Sequence, residues 1–213
     1  MKTIEDYLKE TEFASTKTIE SVWDDFKRSE DLRNEIRHKS AIVQDEYNRS
    51  LAMQMYAEDP DDVMLGVGRY WANYFEADKE VYHKNEDLTD LTKSLAAREF
   101  SLNMLCGNLL EHAKKGLSII YGNPKAWPAG RKIGSQDLSK VILLSRNQSI
   151  HIEEAIKDGK FKNLEIQICF EKLRDEVNPI FGDYLIRDMS LEIVTELGWK
   201  TFDNYRADLL TIQ

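Results

Sequence analysis

Six consecutive residues, Arg146-Asn147-Gln148-Ser149-Ile150-His151, bring together two side chains of complementary chemistry. A guanidinium holds a phosphate through two parallel hydrogen bonds and stays charged at every working pH. An imidazole titrates near neutrality and can take or return a proton. The pair suits metal-independent cleavage of RNA. His151 would activate the ribose 2′-hydroxyl, Arg146 would stabilise the crowded phosphate in the transition state, and Asn147 would add a supporting polar group. With the 2′-hydroxyl as nucleophile, DNA would be spared. A plainer alternative stands beside this one. Arg146 would form a surface ion pair with Glu153 or Glu154, and His151 would be a core or capping histidine.

Other chemistries find less support. The histidines are His38, His83, His112 and His151, and none has a zinc-ligand spacing with another histidine or a cysteine. There is no phosphate-binding Gly-x4-Gly-Lys-Ser/Thr loop and no Gly-x-Ser-x-Gly elbow. Gly66-Val67-Gly68 lacks the third glycine and the preceding strand of a dinucleotide site. No cofactor is expected. Cys106 and Cys169 sit in apolar surroundings and read as reduced core residues of a cytoplasmic protein. The first residues lack the apolar run of a signal peptide, and no apolar stretch approaches a membrane span.

The chain has 213 residues and a net charge of −9, which argues against indiscriminate nucleic-acid binding. The charge is unevenly spread. Residues 113–152 carry seven basic groups and one acidic group, whereas residues 1–112 carry 14 basic and 24 acidic ones. The six-residue segment lies in this basic island. Lys114, Lys115, Arg131 and Lys132 are the candidate phosphate contacts, with a solvated face as the alternative.

The elements that must position these residues are helical. Residues 1–65 contain no glycine, and Ile19, Val22, Trp23, Phe26, Leu32, Ile36 and Val43 recur at helical spacing. Glu58 to Asp62 reads as a turn opening the next helix, which Gly66 and Gly68 would weaken or bend. Tyr70, Trp71, Tyr74, Phe75, Val81 and Tyr82 form an aromatic stripe expected in the core. A break is expected over Asn85–Asp90, then a long helix from Leu91 to Ile120 with Phe100 among its apolar positions. Tyr121 to Gly134 is the clearest loop, with Gly and Pro throughout. Ser135 is the expected N-cap of a helix from Gln136 to Lys157, ended by Asp158-Gly159. Helices follow over Leu164–Phe181 and Leu185–Leu197, with a short one over Phe202–Leu210. Asn163–Cys169 is the one segment where a strand competes.

Arg146-Asn147-x3-His151 resembles the Arg-x4–6-His signature of HEPN domains, in the form with a polar residue directly after the arginine. The resemblance covers roughly residues 70–213 and includes the order of two long helical stretches, a Gly/Pro-rich loop and a motif helix. It implies an all-α, HEPN-like helical bundle over residues 66–213, with residues 1–65 as an N-terminal helical extension. It further implies a metal-independent endoribonuclease of toxin or antiviral-defence type, with Arg146 and His151 catalytic. Its partners would be RNA, a second copy in a homodimer whose two Arg/His pairs share one cleft, and an antitoxin or other defence protein. A non-catalytic helical interaction module is the alternative.

Two features qualify the match. Arg33-Asn34-Glu35-Ile36-Arg37-His38 fits the same pattern but reads as the solvated face of a charged helix. Residues five apart on a regular helix also point about 140° apart. Arg146 and His151 therefore need a bent helix start, a long reach by Arg146, or a second subunit.

Overall fold

In a computed structural model the chain is all-α. The structure describes residues 3–56, 59–74 and 80–213, leaving aside the side chains of residues 74 and 80–82. Seven α-helices are described: α1 (Ile4–Met55), α2 (Pro60–Tyr74), α3 (Glu80–Tyr121), α4 (Leu138–Asp158), α5 (Leu164–Glu176), α6 (Ser190–Leu197) and α7 (Phe202–Leu210). Among the described residues no helix is long and apolar enough to cross a membrane. The chain forms two compact units. One holds residues 1–25 and 100–213, the other residues 26–99. The boundary expected near residue 65 falls inside the second unit.

The first unit carries the main core. On α3, Leu102, Cys106, Leu109, Ala113 and Leu117 recur every three or four residues, and all are fully buried. Leu138, Val141 and Ile142 of α4 and Phe170 and Leu173 of α5 are equally buried. Phe170 stacks on Tyr184 at a ring separation of 5.5 Å. Both cysteines are buried and free, and burial pushes their thiols far above the ordinary range.

The loop before α4 differs from expectation in its details. Pro124–Ala126 forms a 3-10 turn, and two-residue strands β1 (Lys132–Ile133) and β2 (Gln136–Asp137) pair antiparallel. Gly134 turns this hairpin with φ 56°, and a Cβ there would meet a Glu176 carboxylate oxygen at 2.7 Å. Ser135 is not the N-cap of α4; Asp137 holds that position. Glu176 claims Ser135 instead, accepting bonds from both its backbone N–H and its hydroxyl. These bonds hold the Glu176 carboxyl below its usual pKa.

Other boundaries moved too. Asn163 caps α5 by accepting the Glu165 N–H at 3.0 Å, so the competing strand does not form. That helix stops at Glu176, because Pro179 follows and a 3-10 segment runs over Pro179–Leu185. Helix α6 starts at Ser190, not Leu185. Gly159 and Gly198 end α4 and α6 as left-handed caps, as the sequence indicates.

Among the described residues of the second unit, no hydrophobic side chain is buried. The α3 helix runs straight through Asn85–Asp90, where a break was expected. That polar stretch contains no proline or glycine to stop a helix. Helix α2 is unbroken across Gly66 and Gly68. Arg69 of α2 pairs with Glu46 of α1 at 2.7 Å. Of the aromatic stripe, Trp71 is 54% exposed and therefore not core. Phe75 and the side chains of Tyr74, Val81 and Tyr82 lie outside the described residues.

The carboxylate of Asp208 on α7 ties the C-terminus to the hairpin loop. It accepts Arg131 Nε at 2.6 Å, Arg131 Nη2 at 2.8 Å and the Trp199 indole N–H at 2.8 Å. The Asp208→Ala variant would strand the buried Trp199 indole N–H and strip Arg131 of its carboxylate partner. It is expected to lower stability by about 2–3 kcal/mol, read as a reduced midpoint in urea denaturation. Lys132→Ala, at an exposed pair with Asp137, should cost less than about 1 kcal/mol in the same measurement.

Candidate functional site

The six-residue segment does not begin a helix. Arg146 is the ninth residue of α4, and regular helix extends well past His151. The bent start that would have gathered the two side chains is absent, so helix geometry separates them. The fully buried Gln148 lies between them in sequence and points into the core.

Arg146 turns toward α3. Its Nε donates to Glu111, and its Nη1 donates to Asn147 Oδ1 at 3.2 Å. Neither Glu153 nor Glu154 is its partner. Glu111 gathers further cations, since Lys114 Nζ and Lys115 Nζ stand 3.9 and 3.8 Å from its Oε1. Arg146 lies on a groove of about 840 Å³ between α3 and α4, which Arg187 and Asp188 also line.

His151 turns elsewhere. Its Nδ1 stands 3.1 Å from Glu154 Oε1, and its side chain is 47% exposed. Glu154 also meets Lys162 at 3.3 Å. Lys162 first, then His151, hold the Glu154 carboxyl below its usual range, so it is ionised near neutrality. An ionised carboxylate only accepts hydrogen bonds, which makes Nδ1 the donor in this contact. His151 lines a separate small cavity of about 150 Å³ with Phe161 and Ile166. The structure thus brings Asn147 to Arg146 but does not bring His151 to either.

The other candidate phosphate contacts are engaged by acids. The Arg131 guanidinium is held by Asp208 and also donates to the Leu197 carbonyl at 3.0 Å. Lys132 reaches Asp137 across the hairpin at 2.5 Å. In the N-terminal copy of the pattern, Arg33 is held by Glu30 and by Glu99, the latter at 2.6 Å, and His38 is exposed. Among the described residues no group of three or more His, Cys, Asp or Glu side chains could hold a metal ion.

Three members of the segment had no assigned role: Ser149 and Ile150 line the groove, and Gln148 holds the backbone beside it. Gln148 donates from Nε2 to the carbonyls of Tyr184 at 2.9 Å and Arg187 at 2.8 Å. Its Oε1 accepts the Met189 N–H at 3.1 Å. Ser149 donates to Asp188 at 2.7 Å. On the facing helix, a Cβ at Gly107 would meet Ser149 Oγ at 3.1 Å, so α3 and α4 approach closely along the groove floor. The sequence signal for Gln148 is its place in the stripe Leu138, Val141, Ser145, Gln148, whose members are all buried.

Gln148→Leu keeps similar bulk but leaves two buried carbonyls and one buried N–H without partners. A loss of about 2–4 kcal/mol is expected in chemical denaturation, with faster hydrogen exchange over residues 184–189. Asn147→Ala should fall within about 1 kcal/mol of the parent protein. No family model matches the chain, and neither a curated protein nor a solved structure does.

Proposed function

We propose that this chain is a HEPN-like, metal-independent endoribonuclease whose cleavage site is completed by a second copy, acting as a toxin or antiviral-defence effector. One observation carries the reading. Arg146 and His151 are each oriented by their own carboxylate, Glu111 and Glu154, yet line different cavities of one chain. Two copies would let Arg146 of one meet His151 of the other.

The chemistry follows from the groups present. Nε2 of His151 takes the proton of a ribose 2′-hydroxyl, and the 2′-oxygen attacks the adjacent phosphorus. The bond from phosphorus to the 5′-oxygen breaks. The products are a 2′,3′-cyclic phosphate and a 5′-hydroxyl, the latter protonated by solvent or imidazolium. The Arg146 guanidinium offsets the charge that builds on the phosphate oxygens. Lys114 and Lys115, beside Glu111, would add close-range phosphate contacts.

A second reading is a non-catalytic helical interaction module. It is favoured by the acids around Arg146, since Glu111 binds it and Glu153 and Asp188 line the same groove.

The full-length chain should cut single-stranded RNA in the presence of chelator and leave cyclic phosphate ends. Arg146→Ala and His151→Ala should each lower the rate by a factor of about 10² or more. Mixing the two inactive variants should restore part of the activity, because one intact Arg/His pair reforms in a mixed dimer. Loss of cleavage with chelator, or wild-type rates in both variants, would reject the ribonuclease. No turnover at all, together with a stable protein complex, would favour the second reading.

A further inference from the structure

We propose that the groove between α3 and α4 is a docking site for a basic amphipathic helix of a partner protein. This inference rests on the second reading, the helical interaction module, because Arg146 lines the same groove.

The groove has an apolar face that solvent can reach. Phe100 is 70% exposed, Met104 53%, Ile150 52% and Ile156 61%. On α3, Phe100, Met104, Gly107 and Glu111 follow one another at helical spacing and all line the groove. This line extends about 16 Å along the helix, close to three turns. The volume of about 840 Å³ can take several side chains from one face of an incoming helix. Exposed apolar side chains gathered into one groove are the usual mark of an interaction site.

The charge pattern selects the occupant. The groove's two arginines are already committed. Arg146 is bound by Glu111, and Arg187 by Asp183 at 3.1 Å and Glu192 at 2.5 Å. Three carboxylates line the groove with them, Glu111, Glu153 and Asp188. Glu153 is exposed and has no ion-pair partner among the described residues. An apolar floor with an acidic surplus at its rim complements a helix with apolar residues at i, i+3 or i+4 and i+7, flanked by Lys or Arg. RNA would meet these acids unfavourably. A second copy placed symmetrically in the same groove would bring like charges together, which disfavours it as the occupant.

The test uses the full-length chain and a fluorescent 15-residue helical peptide with leucines at that spacing and lysine flanks. A twin with glutamate flanks and a scrambled peptide serve as controls, and anisotropy reads the binding. The lysine peptide should bind at least about tenfold more tightly than either control. Met104→Glu and Ile156→Asp change exposed positions and should each weaken it about tenfold or more, with circular dichroism unchanged. Glu153→Lys should narrow the gap between the lysine and glutamate peptides. Equal binding of the two charged peptides would overturn the proposal, as would full binding by both apolar-site variants. Sedimentation showing a dimer that Met104→Glu dissociates would assign the groove to a second copy and also overturn it. RNA cleavage restored in a mixed Arg146→Ala/His151→Ala dimer, with no binding of the lysine peptide, would overturn the docking site in favour of the ribonuclease, because Arg146 lines this groove.

Discussion

The local structure around the candidate site hangs on one buried amide. Gln148 spends both its donors and its acceptor on the backbone between Tyr184 and Met189. A buried amide lacking such partners would cost several kcal/mol, so these bonds fix both the helix and the segment it grips. Arg187 and Asp188 fall in that segment, and through them the amide shapes the groove wall. Asp188 then reinforces the arrangement. It accepts Ser149 from α4 and the Ser190 N–H that opens α6.

The same amide decides where the neighbouring side chains go. With Gln148 directed into the core, helix geometry sends Arg146 and His151 to flanks about 140° apart. No rotamer of either removes that separation, because it is set by the backbone. The motif is thus built partly for folding, through Gln148 and Ser149, and partly for display, through Arg146, Ile150 and His151. Each displayed polar group has its own acid. Glu111 on α3 fixes the guanidinium, while Glu154, one turn further along α4, fixes the imidazole.

Much of the fold was legible in the sequence, for reasons visible in particular residues. The long helix ending near Ile120 is read from its apolar spacing, and Gly159 and Gly198 mark helix ends because each adopts positive φ. The misplaced features depend on contacts distant in sequence. Ser135 has the chemistry of an N-cap, but Glu176, 41 residues away, takes its hydroxyl. Phe100 fits an apolar stripe, yet it stands 70% exposed on the groove. The hairpin strands are two residues long and leave almost no periodic signal.

Charge along the chain was the least transferable signal. Counting residues 113–152 gives a strongly basic island, but the count stops just short of Glu111, the acid that binds Arg146 and stands near Lys114 and Lys115. Asp208 enters from far along the chain to take Arg131, and Asp137 neutralises Lys132 from within the island. Folding therefore turns a net positive segment into a set of local pairs whose fields largely cancel beyond a few ångströms. A phosphate approaching Arg146 meets a guanidinium oriented by a carboxylate, with further acids beside it. Any catalysis there must rest on the geometry of close contact, because the surrounding charges largely cancel at longer range.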